Sequence, residues 1–398
     1  MSGDQLGHVV VVGGGLAGLR SAEELRRLGY RGRLTLLGAE PHLPYDRPPL
    51  SKAVLCGRAD DTTMPVDLAK LDVQPRLGVR AVGLRCADRV VVTTDGELPY
   101  DGVVLATGGE PTTVPGSGEQ LTLRSIEDAR RLRGRLVPGA RVVLIGGGWI
   151  GAEVATAALA AGCRVTCVEA GPAPGSALFG LQVGKRLLDW WAQVDLRLNA
   201  PVAEVAPGQV VLHDGTRLDA DVVVTGVGVR PAVDWLANSG LHLDGGVVVD
   251  EWLRAAPGVV AVGDIACWYS RRWGRHLRIE HWDNAASAAS VAAAALLEPS
   301  LIGVAPHDPV PYFWSDQFGH KLQYVGVHDG GDPAVWRFRA DGSWSAFWVD
   351  TRDRFTGALI TDLPRENVAA RAAMAAGARM DLDRLSDPMV PLSEAICA

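Results

Sequence analysis

At 398 residues, with 47 % hydrophobic and 21 % charged side chains, the chain is long enough for two or three domains around a sizeable core. A net charge of −7 argues against a general nucleic-acid binder. No apolar run reaches the roughly 20 residues that span a bilayer, so no membrane partner is expected. The polar stretch 1–8 leads straight into a strand pattern, so no signal peptide is expected. Six scattered cysteines suit a reducing cytoplasm, and none has the spacing of a metal site.

Residues 9–12 are four valines, a buried-strand pattern, followed by Gly13-Gly14-Gly15-Leu16-Ala17-Gly18. The glycines fall in G-x-G-x-x-G spacing. Gly13 permits the tight turn, Gly15 lets backbone approach a pyrophosphate, and Gly18 lets the helix pack close to the strand. A helix over 20–28 and a strand over 33–37 complete a βαβ unit, and the helix N-terminus offers free N–H groups to phosphates. Alone, such a motif also reads as a glycine-rich turn without a ligand; its setting makes dinucleotide binding the expectation. Glu40, 22 residues past Gly18, stands where an acid binds an adenosine ribose, with the Ala39 backbone as the alternative contact.

Next comes Pro44-Tyr45-Asp46-Arg47-Pro48-Pro49-Leu50-Ser51-Lys52, whose prolines forbid a regular helix and deliver Ser51 and Lys52 to the start of a following one. On its own Lys52 reads as a solvated side chain. Strands are expected over 78–84 and 89–93, with a turn at Asp95-Gly96. A strand over 100–105 ends in the small residues Ala106-Thr107-Gly108, which allow close approach of backbone or ligand. A helix starts at Ser125 and runs through Arg133.

The opening pattern then repeats. A strand over 141–145 leads into Gly146-Gly147-Gly148-Trp149-Ile150-Gly151, a helix over 152–161 and a strand over 164–168. Glu169 closes that strand, 18 residues past Gly151. Cys163 and Cys167 read as buried thiols. Residues 221–228, ending Gly226-Val227-Gly228, echo the strand before Thr107-Gly108. Two such units in one chain imply two nucleotides face to face and hydride transfer from nicotinamide to flavin. The strand over 259–262 ends in Gly263-Asp264, a carboxylate suited to a polyol chain or to capping the next helix. Residues 285–297 read as an alanine-rich helix and 306–311 as a linker. The remainder, with strands such as 343–349 and a helix near 366–376, reads as a small α+β domain.

Taken together these residues are specific. The chain resembles the bacterial ferredoxin reductases of the putidaredoxin reductase and rubredoxin reductase kind, within the glutathione-reductase-like flavoproteins. The resemblance runs over 12–18, 44–52, Ala106-Thr107-Gly108, 146–153, Gly263-Asp264, Arg278-Ile279-Glu280-His281-Trp282 and Tyr312-Phe313-Trp314-Ser315-Asp316-Gln317. It implies an α/β protein with two Rossmann-like domains: an FAD domain of 1–108 and 238–307, and an NADH domain of 109–237. A C-terminal α+β domain of 308–398 completes it.

Carried over by motif, FAD contacts would fall on Gly15, Ala17, Ala39, Lys52, Val82, Arg124, Asp264 and Trp282, and Gly13, Gly18, Glu40, Arg47, Ala106, Thr107, Gly108 and Gly263 are further expected cofactor-binding residues. Gly146, Gly148, Ile150, Gly151 and Gly228 are expected cofactor-binding residues of the second unit, with Glu169 accepting hydrogen bonds from the ribose hydroxyls of NADH. Lys52 would lie beside the flavin near N5 with Glu153 facing it, as the catalytic pair; without the resemblance, Glu153 reads as an exposed helix residue. Dithiol relatives carry Cys-x4-Cys near this position. Here the proline-rich stretch replaces it, so no disulfide relay is expected.

The implied activity is electron transfer from NADH through FAD to a [2Fe-2S] or similar small ferredoxin, which would serve a haem monooxygenase or ring-hydroxylating dioxygenase. The implied state is a monomer or weak dimer. An FAD-dependent NADH oxidase or a dehydrogenase with a small-molecule acceptor is the alternative, and a signalling flavoprotein a third. Two stretches depart from the family pattern: the apolar 171–192 with Trp190-Trp191, and the basic loop bearing Arg271, Arg272, Arg275 and Arg278, which either steers an acidic partner or is simply solvated.

Overall fold

The computed structural model describes residues 6–397, which divide into two compact units. Of the described residues, one takes in 6–46, 62–110 and 230–309; the other takes in 47–61, 111–229 and 310–397. The whole is α/β with a distinct C-terminal α+β part. Among the described residues no helix is long and apolar enough to cross a membrane.

The first unit is built on a six-stranded sheet in the order Arg254–Ala256, Val259–Ala261, Gly102–Leu105, His8–Val12, Arg33–Gly38, Val73–Leu77. The valines of the central strand are buried on both faces, as a parallel strand flanked by neighbours requires; Val9 pairs with Leu34 on one side and Gly102 on the other. The Leu16–Arg27 helix packs against Trp282–Leu297. Ala288, Ala289, Ala292 and Ala293 of the latter are buried, their small side chains allowing close approach.

The sequence expectation of a strand over 78–84 needs correction. Gly78 takes φ +72° and turns the chain, so Val73–Leu77 ends at the sheet edge and Ala81–Arg85 begins a separate three-stranded antiparallel sheet.

In the second unit a four-stranded parallel sheet runs Asp195–Arg197, Arg164–Val168, Arg141–Ile145, Val222–Thr225. Its core is completed by the Trp149–Ala160 helix, which buries Ala152, Ala155, Ala157 and Ala158. The C-terminal part is a five-stranded antiparallel sheet, ordered Tyr312–Gln317, His320–Gly326, Phe355–Thr361, Trp344–Val349, Val335–Phe338, backed by the Pro364–Ala375 helix.

This packing explains the apolar stretch 171–192. Phe179, Val183 and Leu187 share one core cluster with Leu322, Tyr324, Trp344, Trp348 and Leu359 of the C-terminal sheet. Trp191 is buried with its ring 5.0 Å from Phe318, and Trp190 stacks on His320 at 4.4 Å. Gly180 has φ +84° and a Cβ there would lie 2.5 Å from the Gly331 carbonyl oxygen, so glycine is required at this close approach.

The stretch after the prolines also differs from expectation. Ser51 and Lys52 do not start a regular helix but lie inside the single wide turn Leu50–Val54. Its hydrogen bonds reach back five residues: Val54 N–H donates to the Pro49 carbonyl at 3.0 Å and Leu55 N–H to that of Leu50 at 3.1 Å.

Candidate functional site

The two glycine turns are built alike, each inside its own unit. In the first, Gly13 has φ +124° and an added Cβ would overlap the Ala106 carbonyl, while a Cβ on Gly18 would overlap that of Gly13. Gly15, between them, has nothing within 4 Å. Two of the glycines are therefore demanded by the protein's own backbone. The middle one borders open space at the start of the Leu16–Arg27 helix.

The second turn repeats this. Gly146 (φ +100°) would put a Cβ 2.6 Å from the Gly226 carbonyl oxygen, Gly151 would strike that of Gly146, and Gly148 is open. Each turn is a cradle that a side chain would fill and a pyrophosphate fits, with backbone N–H groups and a helix dipole turned toward it.

Around the first cradle the structure gathers several of the residues predicted from the sequence. Gly263 (φ +70°) would bring a Cβ 3.1 Å from that of Ala17, so the turn Gly263–Ile265 lies against the start of the helix and Asp264 is carried there nearly buried. Ala106 follows the Gly102–Leu105 strand, and the Thr107 hydroxyl donates to the Ala232 carbonyl at 2.7 Å. Glu40 accepts from the Tyr45 hydroxyl at 2.5 Å. Ala39 is exposed, and Val82 lies half-exposed on Ala81–Arg85. Trp282 opens its helix and donates Nε1–H to Asp46 Oδ1 at 2.7 Å.

Beside the second cradle, Glu169 Oε2 accepts the Gly147 N–H and Oε1 the Gly171 N–H, both at 2.7 Å. Those two bonds use half of the roughly four lone-pair positions of a carboxylate and leave the rest for hydroxyl donors. Ile150 is partly exposed on the first turn of its helix, and Gly228 (φ +120°) has open space where a Cβ would stand.

Glu153 overturns its reading as an exposed helix residue: it is 4 % exposed. The Trp149–Ala160 helix is apolar on all sides because the parallel sheet, the Leu50–Val54 turn and the Tyr312–Gln317 strand surround it. A carboxylate so placed costs several kcal/mol unless it is paired and fully hydrogen-bonded. Lys52 Nζ stands 2.8 Å from Oε1 and 2.9 Å from Oε2. The Ser51 hydroxyl donates to Oε2, the Ser315 hydroxyl to Oε1 at 2.6 Å, and the Asp316 N–H to Oε1 at 3.2 Å. Lys52 is thus neither solvated nor alone. Nearby in sequence, the Arg47 guanidinium donates to the Arg124 carbonyl.

Sequence reasoning did not identify Ser51, Ser315 and Asp316 as partners of Glu153. The available signal was the occurrence of Ser51 and Ser315 inside two stretches that carry the family resemblance, 44–52 and 312–317. Arginines of the basic loop meet acids from outside it: Arg271 pairs with Glu251 at 2.5 Å and Arg278 with Glu280, and the backbone N–H of Arg272 donates to Asp308 at 2.8 Å.

Comparison with known proteins agrees with this geometry. The family model described as pyridine nucleotide-disulphide oxidoreductase matches residues 7–289, and that described as reductase C-terminal matches 312–396. The chain is 37 % identical over 400 residues to the anthranilate 1,2-dioxygenase system ferredoxin–NAD(+) reductase component of Burkholderia cepacia, covering 96 % of this chain and 98 % of that one. It is 34 % identical to putidaredoxin reductase of Pseudomonas putida, covering 98 % and 97 %.

Among solved structures, the crystal structure of Fdr9 superposes with a TM-score of 0.94 at 56 % identity, covering 97 % of this chain and 99 % of that one. The covalent putidaredoxin reductase–putidaredoxin complex superposes with a TM-score of 0.90 at 33 % identity, covering 97 % of each. With twin cradles of one design and likeness along nearly its whole length, the chain belongs to the pyridine nucleotide-disulphide oxidoreductases, among the FAD- and NADH-dependent ferredoxin reductases of the putidaredoxin and rubredoxin reductase kind.

Proposed function

We propose that this chain is an NADH:ferredoxin oxidoreductase that passes electrons from NADH through FAD to a small iron–sulfur ferredoxin of a monooxygenase or ring-hydroxylating dioxygenase system. The observation that carries this is the pair of matching glycine cradles, one in each unit. The relatives named as ferredoxin–NAD(+) reductase components, and the solved putidaredoxin reductase–putidaredoxin complex, support the choice of acceptor. Bound FAD supplies an acceptor for the hydride of NADH and a donor that releases electrons singly. All six cysteines are free, and none stands in a Cys-x4-Cys pair, so this chain provides no dithiol to relay the electrons. The free thiols also favour a reducing, cytoplasmic setting.

In this reading the first unit holds FAD. Gly13, Gly15, Ala17 and Gly18 take its pyrophosphate, and Gly263 and Asp264 take its polyol chain. Ala39, Glu40 and Val82 take its adenosine end. Ala106, Thr107, Gly108 and Trp282 border it, and Arg47 and Arg124 are assigned to the cofactor as well. Gly146, Gly148, Ile150, Gly151 and Gly228 hold NADH, and the Glu169 carboxylate orients the ribose hydroxyls. Lys52 supplies positive charge to the electron-rich ring, and Glu153 sets how much of that charge is felt.

The test is acceptor choice. NADH-driven reduction of a small [2Fe-2S] ferredoxin should be much faster than oxygen consumption by the same protein. Oxygen consumption at a matching rate would establish the oxidase reading instead.

A further inference from the structure

We propose that Ser315 is a positioning residue for the transfer of hydride from NADH: its hydroxyl, with that of Ser51, fixes the Glu153 carboxylate and thereby sets the field of Lys52. The inference rests on the reading of Lys52 and Glu153 as the pair that serves the flavin.

Ser315 lies in the strand Tyr312–Gln317, in the C-terminal part of the chain, and is fully buried. Alternation along a strand puts residues 313, 315 and 317 on one face. That face meets the helix bearing Glu153, since the Phe313 ring lies 4.8 Å from that of Trp149 on the same helix. A buried hydroxyl in such a place is stable only if bonded, and its partner is the carboxylate, at 2.6 Å.

Glu153 Oε1 receives Lys52, Ser315 and the Asp316 N–H, and Oε2 receives Lys52 and Ser51. Five donor contacts on two oxygens use every acceptor direction and leave the group no room to rotate. Each neutral donor also draws the carboxylate's negative charge toward itself. Less of it is then spent cancelling the ammonium of Lys52. Removing one donor lets the glutamate cancel more of that charge, and a bound flavin becomes harder to reduce. The C-terminal part therefore contributes, through one hydroxyl, to the step that begins with NADH.

The experiment uses the full FAD-loaded chain. Its readouts are the midpoint potential of the flavin against a reference dye and the limiting rate of flavin reduction by NADH. Ser315→Ala should shift the potential negative and slow the limiting rate roughly tenfold, the scale of one hydrogen bond to a charged group. The half-saturating NADH concentration should stay within about twofold, because the cradle for NADH is untouched. Ser51→Ala should shift both readouts in the same direction, and Ser315→Thr, which keeps the hydroxyl, should restore them.

Parent potential and rate in an FAD-loaded Ser315→Ala protein would overturn the proposal. If that variant does not fold, an unmoved potential in Ser51→Ala overturns it. Lys52→Met separates the two readings. A potential unmoved by Lys52→Met defeats the flavin role of the pair itself, whereas one moved by Lys52→Met but not by the serine changes defeats only the role of the serines.

Discussion

The Glu169 carboxylate and the Gly147 N–H are bonded at 2.7 Å beside the second glycine turn, which fixes an acid at the place where the proposed function puts the adenosine ribose of NADH. The following residues, Ala170-Gly171-Pro172-Ala173-Pro174, hold no cation to neutralise a 2′-phosphate, and Arg164 is exposed at the opposite end of the strand. Like-charge juxtaposition costs several kcal/mol, and ~2.8 kcal/mol is already about a hundredfold. NADH should therefore exceed NADPH by on the order of a hundredfold in kcat/KM. Glu169→Ala should narrow the gap by weakening NADH and relieving NADPH. Equal kcat/KM for the two nucleotides in the parent would remove Glu169 from the ribose site.

Asp264 is nearly buried on a turn that abuts the helix of the first cradle. On the proposed function this carboxylate accepts hydrogen bonds from the polyol chain of FAD. Asp264→Ala should weaken retention of FAD, measured as the flavin-to-protein absorbance ratio after dialysis. Full occupancy in that variant would count against the assignment.

Lys52→Met removes the ammonium and leaves Glu153 buried with only neutral donors. Flavin reduction in stopped flow should slow. Stability should fall by about 3–5 kcal/mol, the usual cost of stranding one partner of a buried ion pair. The double change Lys52→Met with Glu153→Gln should regain most of the stability but not the rate. Recovery of both together would show that the pair is structural only.

His307 is buried against Trp268, with ring centroids 4.8 Å apart, and its Nε2 lies 3.0 Å from Asn284 Oδ1. Burial pushes its pKa down from 6.5 to about 4. Because the folded value lies below the unfolded one, the unfolded chain binds more protons in this interval. Stability is therefore fully present above pH 6.5 and is lost as pH falls toward 4. The loss should approach an upper limit of about 3 kcal/mol from this one group. Thermal melts between pH 7 and 4 should show it, and His307→Gln should flatten the slope. An equal slope in the variant would assign the loss to other groups.

The strands Arg141–Ile145 and Arg164–Val168 and the two glycine turns were legible in the sequence because strand, turn and helix adjoin along the chain. Each glycine answers to a neighbour within the same short unit, or to a strand recognisable by its own valines. The segment around Lys52 was legible only as a refusal to form a helix, since prolines state what a backbone cannot do and not what it does instead.

What the tertiary structure alone decided is the fate of Glu153 and of the apolar stretch with Trp190 and Trp191. An alanine-rich helix has no polar stripe to mark which side meets solvent, so its one acid looked exposed. Its burial depends on donors at positions 51, 52, 315 and 316, up to 163 residues away, which no local spacing encodes. Trp190 and Trp191 likewise meet His320 and Phe318 across a long stretch of chain. Periodicity reports the surroundings a segment supplies to itself. A buried charge is tolerated only where distant segments bring enough donors to one point, and that convergence exists only in the folded chain.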